Sequence, residues 1–130
     1  MGYEKALLST TTYSDTEELI YDDQNLVLVG VTFKGRTGGD SAIDAGTLVG
    51  TVTANSTYQV YDDSASDGTE TAVGIVIEDV PALAAGEEYN AVIAIHGDFY
   101  KSKITGYDAA ALADLNGKVV KKGSVEILSF

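Results

Sequence analysis

The texture of the chain changes at Leu19. Before it, Tyr3, Leu7, Leu8 and Tyr13 are scattered among Thr, Ser and Glu with neither the 3.6-residue period of a helix nor the 2-residue period of a strand. Residues 1–18 therefore read as a flexible arm, and residues 19–130 as the folded domain. From Leu19 the stretch LIYDDQNLVLVGVTF predicts two strand-like pieces around the turn-forming residues Asp22-Asp23-Gln24-Asn25. GRTGGDSAIDAG then reads as a loop. TLVGTVTAN and TYQVYDD predict two short strands separated by Asn55-Ser56.

AVGIVIEDV predicts a strand with Val73, Ile75 and Ile77 on one face and Gly74, Val76 and Glu78 on the other. PALAAGEE is a connector, because Pro81 has no N–H to give to a ladder. NAVIAIHGDFYKSKI predicts a further strand, broken or bulged at Gly97. Only TGYDAAALADLNG reads as helix: Asp108 suits the N-cap, Ala109 to Leu115 propagate it, and Asn116-Gly117 stop it. KVVKKGSVEILSF closes the chain as strand, turn at Lys122-Gly123, and strand. The pattern predicts a mostly β, small mixed α+β domain with one short helix, and no internal repeat.

Composition sharpens this picture. With 130 residues the chain suits one domain that buries roughly two-thirds of its unfolded surface. Eight basic residues face 20 acidic ones, a net charge of −12. Such a surface repels a phosphate backbone, so nucleic acid is not an expected partner. There is no Cys, hence no disulfide and no thiolate chemistry. No apolar run approaches the length of a membrane span, and MGYEKALLSTTTYSDTEE lacks the basic and apolar regions of a secretion signal, so no membrane partner is expected.

The carboxylates of YDDSASDGTE are the first candidates for chemistry. Read as a calcium loop from Asp63, they put Ala65 at the third position and Gly74 at the twelfth, where oxygen ligands are needed. A turn explains them better: Gly68 supplies positive φ, and Asp62 and Ser64 cap local N–H groups. The pairs Glu17-Glu18, Asp22-Asp23 and Glu87-Glu88 sit in polar connectors. His96 is the only histidine, so a metal would lean on carboxylates and a Ser-His-Asp relay on this one ring. No nucleophile elbow or phosphate-binding glycine motif occurs. The residues predict no cofactor, no metal and no enzyme.

Taken in order, AGTLVGTVTANSTYQVYDDSASDGTETAVGIVIEDV, NAVIAIHGDFYKSKI and AALADLNGKVV resemble the lambda-type head decoration proteins of tailed bacteriophages. The specificity lies in the order and spacing of these segments, from about Leu19 to near Val120. The tail KKGSVEILSF is longer than in that family, and QNLVLVGVTFKG is more apolar than an undocked arm would be. The resemblance implies a β-tulip or barrel-like domain that forms a homotrimer. It implies a site on the outer surface of the virion capsid at local three-fold positions, reached after synthesis in the host cytoplasm. The N-terminal arm would pair with the major capsid protein and the trimer would clamp the shell against packaged DNA, with Leu7, Leu8 and Tyr13 as arm anchors. Two other readings make distinct demands. A small β-rich receptor- or glycan-binding module needs Tyr58, Tyr61, Tyr89 and Tyr100 to line a groove. An enzyme needs Asp62 and Asp67 to converge on His96.

Overall fold

The computed structural model describes residues 19–130, and within them the fold is mostly β. Strands β1 (Ile20–Lys34), β2 (Leu48–Val52), β3 (Thr57–Val60), β4 (Gly74–Val76) and β5 (Glu88–Tyr100) come first. A 3-10 turn (Lys101–Lys103), the short helix α1 (Ala109–Asp114) and the strands β6 (Lys118–Lys122) and β7 (Val125–Ser129) follow. The sheet order is β1-β3-β2-β4-β5-β7-β6, and β5 also pairs with β1. The first five strands therefore close on themselves as a barrel, and the β6–β7 hairpin continues the sheet from the end of β5. The sheet is mixed: β1 meets β3 in parallel at Phe33 and Tyr58, and the other pairings are antiparallel.

Both faces of the central strands are covered. Successive strand residues point to opposite sides, and Leu48, Ile75 and Ala94 lie in one apolar cluster while Val49, Val76 and Ile93 lie in another. Burial of each of these leucine, isoleucine and valine side chains stabilises by roughly 1.5–3 kcal/mol relative to exposure. The alternation expected of AVGIVIEDV is thus present, but Val76 is as buried as Ile75 because β4 lies between β2 and β5. The first cluster also takes Leu19, Tyr61, Phe99, Ala111 and Leu128, so α1 and β7 cover that face.

One expectation is corrected. Residues 20–34 form one strand, not two pieces around a turn. Asp22 pairs with Asp98 and Val27 with His96, so five steps along β1 (22 to 27) match two along β5 (98 to 96). The surplus residues are accommodated as an irregularity inside the ladder, where Gln24 N–H donates to Asp22 Oδ1 at 3.0 Å. Polar turn formers here mark a bulge, because strand pairing resumes beyond them. At Gly97, as the sequence suggests, β5 bends without ending. Its φ is +155°, and its N–H and C=O bond to Phe130 instead of β1.

The helix is built as its sequence reads. Asp108 Oδ1 accepts the Ala111 N–H at 2.7 Å, which caps the first turn, and Asn116 adopts φ +54° at the stop. The same Asp108 oxygen accepts the hydroxyl of buried Tyr61 at 2.8 Å. Burial first, and then this carboxylate, push the Tyr61 phenol above its ordinary range.

Candidate functional site

The acidic turn that draws attention in the sequence is organised around the chain's one arginine. Arg36 donates from Nε and Nη2 to Asp40 Oδ1 at 3.1 and 2.8 Å, and its Nη1 donates to Asp67 Oδ2 at 3.1 Å. Its backbone N–H donates to Asp40 Oδ2 at 2.7 Å. Within the turn, Asp67 Oδ1 accepts the Thr69 hydroxyl at 2.6 Å and N–H at 3.1 Å, and Asp62 Oδ1 accepts the same two groups from Ser64. Glu70 Oε1 accepts the Gly68 N–H. Nearly every carboxylate in the turn is thus used locally. Arg36 was the residue that pattern reading passed over; its signal was a lone guanidinium in a Gly-rich loop of an acidic chain.

These contacts set the ionisation of the turn. The Thr69 hydroxyl, then its N–H, and then Arg36 hold Asp67 down at about 2 despite partial burial. The Ser64 hydroxyl and N–H lower Asp62. Burial opposes ionisation of Asp40, but the Arg36 side chain and N–H outweigh it and leave that carboxyl below the usual range. Carboxylates depressed in the folded state contribute stability that is fully present above their unfolded values near pH 4 and is lost as pH falls toward about 2. Arg36→Ala is expected to cost about 1 kcal/mol at pH 7, since the pair is partly solvated but two-pronged. The gap to the parent should narrow between pH 4 and pH 2 in urea titrations. A gap independent of pH would show that the arginine acts by packing alone.

The turn does not meet His96. That residue is exposed on β5 opposite Val27 of β1, while the turn is tied to Arg36. No cluster of three or more His, Asp and Glu side chains able to hold a metal occurs among the described residues. The four tyrosines of the binding-module reading are dispersed. Tyr61 is buried against Asp108, Tyr58 packs on Phe33 at 6.2 Å, Tyr89 lies against the second cluster, and Tyr100 meets Tyr21 edge-on at 5.5 Å. Among the described residues no helix is long and apolar enough to cross a membrane.

What the fold offers instead are surfaces. The predicted anchors Leu7, Leu8 and Tyr13 lie outside the described residues. The point where residues 1–18 join the barrel is firmly built: Leu19 is 2% exposed within the first cluster, and Ile20 pairs with Phe99. Beyond it, Val27 and Ile95 are each 43% exposed on neighbouring strands. At the other end of the chain, Tyr100, Lys101, Lys121, Val125 and Glu126 line a groove of 380 Å³.

Comparison with known proteins completes the site. A family model described as bacteriophage lambda head decoration protein D matches residues 9–118. The match starts within the N-terminal segment, includes Tyr13 but neither Leu7 nor Leu8, and ends at the first residue of β6. No curated protein and no solved structure matches the chain.

Proposed function

Since the chain belongs to the family of bacteriophage lambda head decoration protein D, a structural protein of the phage head, we propose that it acts as a trimeric cement protein. In this reading three copies sit on the outer capsid surface at a local three-fold position, and residues 1–18 of each copy bind the major capsid protein. The assembly holds the shell together against the pressure of packaged DNA. The observation that carries the reading is the continuity of the family match from Ser9 through the barrel to Lys118: residues 9–18 of the segment proposed to bind, with Tyr13, and the body proposed to decorate belong to one matched unit. A segment that binds by adding a strand to the shell draws affinity from main-chain hydrogen bonds and specificity from side chains such as Leu7, Leu8 and Tyr13. Three linked arms then add avidity.

The test is co-sedimentation with cognate capsids stripped of decoration protein. The full chain should pellet with the shells. Deletion of residues 1–18, or joint replacement of Leu7, Leu8 and Tyr13 by Ser, should weaken binding by about 100-fold or more, since each arm contributes to avidity. Undiminished binding by the shortened chain would remove the arm from the mechanism.

A further inference from the structure

Charge is segregated along this chain. Between Arg36 and Lys101 there are eleven carboxylates and no lysine or arginine. From residue 101 onward five lysines face three carboxylates. The fold carries part of this separation to two ends, although Asp98 stays at the lysine end of β5, paired with Ser129 of β7. Glu87 and Glu88 are exposed at the start of β5, and Lys34 on β1 approaches Glu88 Oε2 only at 4.0 Å, a solvated pair that holds it weakly. The Gly35 N–H bonds to the Glu87 carbonyl at 2.9 Å, which sets the neighbouring Arg36, and with it Asp67 and Asp40, at the same end. The opposite end of β5, about 40 Å of strand away, leads into Lys101 and the groove shared with the β6–β7 hairpin.

That groove is both cationic and apolar. Lys101 is held by Glu126 at 3.5 Å and lies over the Tyr107 ring at 4.7 Å. Glu126 is the one carboxylate in the lining and is already engaged. Lys121 in the lining, and Lys122 beside it at the rim on β6, are exposed and form no ion pair among the described residues. Val125, 38% exposed, and half-buried Tyr100 add apolar surface. Lysines on an edge strand such as β6 ordinarily discourage strand pairing. That accounts for their presence on β6, but not for a groove beside exposed Val125 or for the carboxylates gathered at the other end.

We propose that the groove receives the Glu87–Glu88 end of a second copy of this chain, in a head-to-tail contact that closes into a ring; the inference rests on the trimer reading above. Copies carrying −12 repel one another over most orientations, so association needs a place where opposite charges meet. A contact between unlike patches is the kind that generates rings when its rotation closes. The family match ends at Lys118, so the hairpin side of this contact lies almost wholly outside the matched residues.

Light scattering of the full chain over a concentration series tests this, at about 0.1 M and about 1 M salt, where the screening length falls from about 10 Å to about 3 Å. Association should weaken by about tenfold or more at high salt. The double variant Lys121→Glu, Lys122→Glu should weaken it by at least as much at low salt, with an unchanged circular dichroism spectrum. Adding Glu87→Lys and Glu88→Lys to the same chain should restore it. The proposal is overturned by a parent that stays monomeric throughout, by a double variant that associates like the parent, or by a charge swap that restores nothing. Loss of capsid binding by the double variant with its mass unchanged would also overturn it, and would place the groove against the shell. Failure of the cement reading looks different: the parent would associate with itself yet not bind capsids.

Discussion

Phe99→Ala is expected to lower the unfolding free energy by about 3–5 kcal/mol, a large part of the 5–15 kcal/mol typical of a domain. The ring is fully buried and stacks on Phe130 at 5.4 Å with 22° between planes. Its backbone is the joint of three strands, pairing with Ile20 of β1 and Leu128 of β7. The ring also fills the space beside Gly97, where an added Cβ would come within 3.0 Å of it. Truncation would leave a cavity bordered by Phe130 and Gly97, and the strand crossing limits how far the walls can collapse. Phe99→Leu should recover most of the loss. The measurement is urea unfolding at fixed protein concentration, because self-association would otherwise shift the midpoint. A loss below about 1 kcal/mol would mean that the site relaxes freely and that the joint is not rigid.

How far the sequence announces this structure depends on whether a feature is local. The helix was legible in full, since Asp108, the alanines and Asn116 act within a few residues of one another. The final hairpin and the β2–β3 hairpin were legible for the same reason. The bulge in β1 was not: Asp22 to Asn25 have turn chemistry, and only the partner strand β5 decides that the chain continues straight. Barrel closure rests on β1 meeting both β3 and β5, which no periodicity within β1 records. Arg36 was missed because its partner Asp67 is 31 residues away. The groove beside the hairpin joins residues near 101 and near 125, so charge clustering hinted at it without giving its shape. Leu7, Leu8 and Tyr13 were proposed from texture and resemblance, and their roles rest on the capsid-binding experiment.

Gly68→Ala is the second large expected effect, and it shows why the acidic turn is structural. Gly68 has φ +111°, a conformation that costs a non-glycine residue roughly 1–3 kcal/mol. A Cβ there would also lie 2.3 Å from the Thr51 carbonyl oxygen and 2.3 Å from Thr53 Oγ1. Rotation of Thr53 could relieve the second clash, but the first is with the backbone of β2. The turn would have to lift from the barrel, breaking the 2.8 Å bond from the Thr53 N–H to the Asp67 carbonyl and loosening the Asp67 side chain on Arg36. Overpacking of this kind adds about 1–3 kcal/mol, so a total loss of about 2–6 kcal/mol is expected in urea unfolding. Gly30→Ala provides the contrast. Nothing lies within 4 Å of a Cβ at Gly30 and its φ is not positive, so alanine there should be neutral or stabilise by up to about 1 kcal/mol. If the two variants had equal midpoints, the turn would not be clamped to β2 as the geometry requires. If Gly68→Ala also lost the acid-dependent part of its stability, the clamp would be what holds Asp67 within reach of Arg36.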